Sequence, residues 1–378
     1  MTASVSTFPR ERQDQPLLAR DWLSERSRGS MPTGSVVFHA PSHAFQAPGG
    51  GENQLVQTGR SLDALGLCVR PFSSWTDRLE EARLLHLFGM SREGLALAEV
   101  ARARGVPVVL SPICWYAPRS LAALAGGRVA SARDLAKWAV RRIAPRSPSW
   151  RRNLLRLAEA VLPNSHAEGR QLVRLFAADP RRLQVIPNGV DPRFARADSA
   201  LFRARHGDGD FVLYVGRIEP RKNVLGLARA VRALGWTLTA IGGAPPGRER
   251  YADACRAAAG NAGRWLGAVG HDDPILASAY AAARVVALPS WFETPGLAAL
   301  EGALAGSAVV VTPFGGAAEY FGSMVEYARP GRPAELARAL TRAWERGPNP
   351  GLAGHVAARF LWSRVARRTA EVYDQVAG

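Results

Sequence analysis

Lysine is nearly missing from this chain: of 49 Lys and Arg residues, only Lys137 and Lys222 are lysines. The formal net charge of +17 is therefore carried by arginine, in a sequence also rich in alanine and glycine. GC-rich coding produces that combination without selection for a polyanion. A strongly basic balance ordinarily points to nucleic acid, and here it loses most of that meaning. Cysteine is scarce too. Cys68, Cys114 and Cys255 are odd in number, far apart and without metal-ligand spacing, which excludes a cysteine metal centre; they read as small buried hydrophobes with no assigned role. Long apolar runs are also absent. No stretch approaches the ~18 residues a spanning helix needs, and the opening MTASVSTFPRERQDQPLL has no apolar centre of the secretory kind. The expectation is a cytoplasmic protein.

What is present is a globular composition, 47% hydrophobic and 21% charged over 378 residues, in a chain longer than a single core normally serves. Two α/β domains of similar size are expected. Residues 1–33 are polar and aperiodic and read as a flexible extension. From Ser35 short apolar runs alternate with amphipathic stretches: strands at Ser35 to His39, Leu67 to Arg70, Leu84 to Phe88, Val106 to Leu110, Glu159 to Leu162 and Leu183 to Ile186, with a helix over Glu52 to Leu65. After PNGVDPRF the sequence stays polar through Asp210, where an interdomain linker is expected. A second series follows, with strands at Phe211 to Val215, Leu238 to Ile241, Val285 to Leu288 and Val309 to Thr312. This pattern predicts a first domain over 34–195 and a second over 196–359, both doubly wound and Rossmann-like, facing each other across a cleft. In such sheets ligands bind beyond the carboxyl ends of the strands.

Three segments fall at such strand ends. The first, HAFQAPGGGE, precedes a helix and places Gly50 and Gly51 where backbone N–H groups can approach a phosphate. The second, FVLYVGRIEPRKN, sets Gly216, Arg217 and Lys222 just past a strand, where fixed cations stabilise the charge of a diphosphate leaving group. The third, FETPGLAALEGALAG, carries Glu293 and Glu301 with seven residues between them, and a helix starting near Gly296. Leu297, Leu300 and Leu304 share one face of that helix, and Glu301 falls on it. A carboxylate there needs hydrogen-bond donors such as ribose hydroxyls or a cation; the alternative is a structural ion pair.

VGRIEPRKN, the two-glutamate segment, PNSHAEGRQL with VIPNGVD, the PGGGE loop and the terminal FLWSRVARRTAEVY together resemble a family-4 retaining glycosyltransferase, also called group 1, over nearly the whole chain from Ser35. The resemblance implies the GT-B fold, a nucleotide-sugar donor held mostly by the second domain, no metal or other cofactor, and a last helix over 360–378 packing back on the first domain. It implies that Arg217 and Lys222 hold the diphosphate and that Gly50, Gly51 and Gly216 line it. Glu301 would bind the ribose, while Glu293, with Gly296 and Leu297 after it, would bind the transferred sugar. The catalytic set it implies is Glu293, Arg217 and Lys222, with retention assisted by the departing phosphate oxygen. The implied acceptor is a glycan or lipid-linked molecule in polysaccharide or glycoconjugate synthesis.

The sequence departs from this pattern where many relatives carry a histidine, reading SPICWYAPRS instead; His86, on another strand, reads as a core-edge or acceptor-side histidine and is the secondary, acceptor-side candidate. Asp208-Gly-Asp210 matches a metal signature but precedes its strand, and reads as a linker turn. Nine basic residues lie between Arg128 and Arg156 with Asp134 the lone acid. Among them Arg141, Arg142, Arg151 and Arg152 suit peripheral contact with an anionic membrane, or simply a solvated helical pair. Other readings are a nucleotide-sugar epimerase, a phosphorylase whose Schiff-base lysine must be Lys137 or Lys222, and a non-catalytic binding protein with the same fold.

Overall fold

The structure is a computed structural model that describes residues 17–27, 31–46, 49–118, 120 and 128–378. Two all-parallel sheets lie in tandem. The first has the order β2-β1-β3-β4-β5, from β1 (Ser35–His39), β2 (Val69–Pro71), β3 (Ala82–Phe88), β4 (Val108–Ser111) and β5 (Ala160–Val161). The second runs β11-β10-β9-β6-β7-β8, from β6 (Phe211–Val215), β7 (Thr237–Ile241), β8 (Gly263–Trp265), β9 (Val285–Leu288), β10 (Ala308–Val311) and β11 (Glu326–Tyr327). The central strands VVAL and AVVV are buried throughout, as parallel strands covered by helices on both faces must be.

Strand order reverses between β1 and β3 in the first sheet and between β6 and β9 in the second. Such switch points open a crevice at the strands' carboxyl ends. Helix α2 (Gly50–Asp63) starts at the first crevice. The loops after β6 and β9, which carry Lys222 and Glu293, flank the second.

Several boundaries differ from the sequence reading. Leu17–Arg26, expected within a flexible extension, forms helix α1. Its Trp22 is buried and donates its indole N–H to Asp63 at 2.8 Å. Residues 1–16 and 28–30 of that expected extension lie outside the described residues, as do Ala47 and Pro48 of the glycine-rich loop. Leu183 to Ile186 makes a single bridge to Val161 rather than a strand. The polar stretch expected to be linker belongs to the second domain, because Phe194 and Phe202 are fully buried in its core. Cys68 is exposed, unlike Cys114 and Cys255.

The crossing itself is short. Val190 exchanges backbone hydrogen bonds with Phe360 and Trp362 at 2.6 and 3.3 Å, so the outgoing and returning chains run side by side. A Cβ on Gly189 would stand 2.5 Å from the Trp362 ring, so only glycine fits there. The returning chain becomes the last helix, Trp362–Ala377, which packs on α2 and β3 of the first domain.

Candidate functional site

The loop after β6 passes through Gly216 (φ +144°), and a short 3-10 turn over Pro220–Lys222 then delivers Lys222 to the crevice. Its Nζ donates to Glu293 Oε1 at 2.6 Å, and Ser290 Oγ donates to the same oxygen at 2.6 Å. The pair is mostly buried, with side-chain exposures of 14% for Lys222 and 6% for Glu293. Burial pushes the Lys222 pKa below that of a free lysine, against the pull of Glu293. For Glu293 burial acts upward, but the charges of Lys222 and Arg221 outweigh it and hold the carboxyl below its usual range. Glu293 is therefore ionised near neutrality.

The Glu293 backbone is fixed as firmly as its side chain. Its N–H donates to Phe314 at 3.0 Å and its carbonyl accepts from Gly316 at 2.8 Å. The intervening Gly315 has φ +109°, and a Cβ there would lie 1.8 Å from the Glu293 carbonyl oxygen. Gly296, at φ +80°, then caps helix Leu297–Leu304. This turn sets Glu293 beside Lys222 and begins the helix that carries Glu301.

Glu301 is 6% exposed. Tyr280 donates to its Oε2 at 2.6 Å and His271 Nε2 lies 3.0 Å from Oε1. Burial acts to raise the Glu301 pKa, but these hydrogen bonds and the nearby positive charge lower it instead. For His271 burial acts downward, and hydrogen bonds to Asp272 and Glu301 overcome it, raising the pKa to about 9. Asp272, bonded to His271, Arg193 and Arg60, sits well below the ordinary carboxylate range.

Across the cleft, the start of α2 meets the second domain. A Cβ on Gly49 would stand 3.3 Å from the Arg217 guanidinium carbon, and one on Gly50 would lie 3.7 Å from Leu297. Gly51 instead faces Ile113 of its own domain. Arg217 is half-buried and lies 3.5 Å from Glu219. The SPICWYAPRS loop contributes Trp115, whose ring stacks on Phe292 at 6.1 Å between centroids, and Arg221 covers Phe292 at 5.1 Å. The domains also touch where Glu319 accepts from the backbone of His166 and Ala167 at 2.6 and 2.7 Å.

The structure thus gathers Gly50, Gly216, Arg217, Lys222, Glu293, Gly296, Leu297 and Glu301 around one cleft, with Gly51 at its first-domain wall. It does not bring His86 there. His86 is 1% exposed, bonded to Tyr373 at 2.6 Å and Ser111 at 2.9 Å, and burial lowers its pKa to about 3. The acceptor-side candidacy of His86 is corrected: it is a neutral core histidine that ties the last helix to β3. His271, Tyr280, Asp272 and Arg193 were missed. The available signal was GHDDP, but the GRW strand before it is too short and polar to announce itself.

Asp208 and Asp210 lie away from the cleft in contacts with Arg203 and Arg284. Among the described residues no cluster of three or more His, Cys, Asp or Glu can hold a metal, and no helix is long and apolar enough to cross a membrane. In the basic stretch, helices Arg128–Ile143 and Trp150–Leu157 use their arginines unequally. Arg151 lies 4.1 Å over Trp150 and bonds Tyr116 at 2.9 Å, while Arg141 covers Phe176 at 5.4 Å. Arg152 is half-buried, so of the four expected contact arginines Arg142 alone is exposed.

Residues 48–194 match the model "Glycosyltransferase Family 4", and residues 209–346 match "Glycosyl transferases group 1". Curated relatives include D-inositol 3-phosphate glycosyltransferase 2 of Catenulispora acidiphila, 33% identical over 242 residues, covering 58% of this chain and 56% of that protein. Another is the D-inositol 3-phosphate glycosyltransferase of Acidothermus cellulolyticus, 32% identical, covering 57% and 53%. The chain thus spans about half the length of these relatives. Among solved structures, sucrose-phosphate synthase from Thermosynechococcus elongatus superposes with TM-score 0.72 at 20% identity, covering 90% of this chain and 98% of that one. HepE of Anabaena in complex with UDP superposes with TM-score 0.68 at 20% identity, covering 90% and 100%. These likenesses establish the GT-B arrangement of two Rossmann-like domains.

Proposed function

Since the chain belongs to the group 1, family-4 glycosyltransferases, we propose that it moves a sugar from a nucleotide-diphosphate donor to an acceptor held by the first domain, with retention and without metal. The observation that carries this reading is the buried Lys222–Glu293 pair at the second switch point, with Arg217 facing the glycine start of α2. Arg217 and Lys222 supply the positive charge at the diphosphate, in place of a metal. The first amides of α2, at Gly50 and Gly51, add N–H donors and the positive end of a helix dipole. Glu293 accepts from hydroxyls of the departing sugar, and Gly296 and Leu297 shape the turn beneath it. Glu301 accepts from the ribose. Retention follows if the leaving phosphate oxygen assists the acceptor on the same face.

UDP is the first nucleotide to try, because HepE is described in complex with it. The acceptor class we propose is a glycan or lipid-linked hydroxyl; inositol 3-phosphate, named in the curated relatives, belongs in the same screen. Glu301→Gln is expected to weaken UDP binding by roughly ten- to a hundredfold, the loss of a hydrogen bond to a charged group. Isothermal titration reads this directly, and unchanged affinity removes Glu301 from the nucleotide site.

Peripheral membrane contact, the second reading, rests on a set that shares only Arg142 with the one the sequence suggested. Arg133, Lys137, Arg142 and Arg146 are exposed beside exposed Val140 and Ile143. Replacing these four basic residues by Gln is expected to reduce binding to anionic vesicles in low salt while UDP binding stays unchanged. Undiminished vesicle binding in cosedimentation rules the surface out.

A further inference from the structure

Glu301 has an elaborate set of partners that the donor site alone does not require. His271 reaches it from the loop between β8 and helix Pro274–Ala282, and Tyr280 reaches it from that helix. Behind His271 stands Asp272, which accepts from Arg193 at 2.5 Å and from Arg60 at 3.2 Å. Arg193 belongs to the segment leaving the crossing. Arg60 is on α2 of the first domain, the helix whose other end carries Gly50. Arg193 also donates to the His271 carbonyl and lies 4.7 Å over Phe194, whose ring meets both His271 and Tyr280 edge to face. Both ring nitrogens and one face edge of the imidazole are therefore engaged. An ionised Glu301 obliges Nε2 to donate. Nδ1 lies 2.9 Å from an Arg193 nitrogen and 3.3 Å from Asp272 Oδ1, so its environment depends on how Asp272 is shared between the two arginines.

We propose that His271 is a positioning residue for Glu301, and that Asp272, held at once by Arg60 of the first domain and Arg193 of the crossing, couples the nucleotide-binding carboxylate to the contact between the domains. This rests on the reading of Glu301 as the ribose acceptor. A carboxylate has four lone-pair sites, of which His271 and Tyr280 fill two; they fix its plane and leave the others for hydroxyls. Losing the Arg60 contact leaves Asp272 to Arg193 and His271 and shifts the donor that orients Glu301. Nucleotide affinity then depends on a first-domain residue for which the proposal requires no contact with the nucleotide.

The test uses UDP titration on the full chain, with melting curves to establish that each variant is folded. His271→Gln keeps an amide donor near the Nε2 position, whereas His271→Asn places one near Nδ1. The Gln variant is expected to stay within about threefold of wild type and the Asn variant to lose about tenfold, the scale of one charged hydrogen bond. A merely structural role makes the two lose equally, which overturns the proposal. Arg60→Gln, at a partly exposed side chain, tests coupling without disturbing the core. It is expected to weaken UDP by about two- to fivefold in wild type, and to have no effect in a Glu301→Gln background. Additive losses, or no loss from Arg60→Gln alone, contradict the coupling. If Glu301→Gln itself binds UDP normally, the ribose reading falls and the proposal with it. If Glu301→Gln is weak but His271→Asn binds normally, the positioning role alone falls.

Discussion

Glu293→Gln is expected to lower turnover by about a hundredfold or more while leaving UDP affinity undiminished. The substitution keeps the shape of the side chain and an oxygen for Lys222 and Ser290, which now donate to it at 2.6 Å each. What it removes is the negative charge, and with it the strength of an interaction with sugar hydroxyls that tightens as the glycosidic bond breaks. UDP lacks that sugar. Lys222 loses the neighbour that favours its charge, and the diphosphate of UDP replaces that counter-charge on binding, so affinity has no reason to weaken. Initial rates on a full donor, beside titration of UDP, separate the two effects; unchanged turnover removes Glu293 from the chemistry.

Lys222→Met is expected to do damage of two kinds. It strips the diphosphate of its deepest cation and leaves Glu293 buried without one. Breaking a buried pair by removing one partner costs about 3–5 kcal/mol, so thermal stability falls along with turnover. The two losses come apart in the double variant Lys222→Met/Glu293→Gln, which removes both charges. Its melting temperature is expected to recover most of what the single variant loses, because no unpaired ion remains buried, while turnover stays at the level of the worse single variant. Recovery of turnover with stability makes the pair structural and removes it from catalysis. Lys222→Arg is expected to be a poor substitute, since the planar guanidinium does not fit a point-charge site only 14% exposed.

The parts legible in the sequence were those where burial writes itself into composition. Phe211–Val215 and Val285–Leu288 are read from the sequence with the bounds the fold gives them, because a strand covered on both faces is an unbroken apolar run. Their switch-point loops carried the lysine, the arginine and the first glutamate, and the spacing to Glu301 follows from one turn and a short helix. Edge strands left no such mark: Gly263–Trp265 and Glu326–Tyr327 are short and partly exposed. Missing the first of them hid His271, which stands beyond a strand that the sequence did not announce. His86 misled for the opposite reason. It lies two residues inside the end of β3 and points to the last helix, a long-range contact that no local pattern encodes. Helix α1 packs on both α2 and β2, with Trp22 buried and bonded to Asp63, so its order depends on tertiary partners rather than on its own periodicity.

The central claim is that the chain's own cations and Glu293 do the work at a donor diphosphate. It is tested most directly by mixing the full chain with UDP-, GDP- and ADP-linked sugars and measuring release of the free nucleotide, with and without EDTA, for the wild type and for Glu293→Gln. The account predicts release from at least one donor, at a rate EDTA does not change and Glu293→Gln abolishes to within about one part in a hundred. Release that vanishes with EDTA and returns with added magnesium or manganese, or that proceeds undiminished in Glu293→Gln, contradicts it.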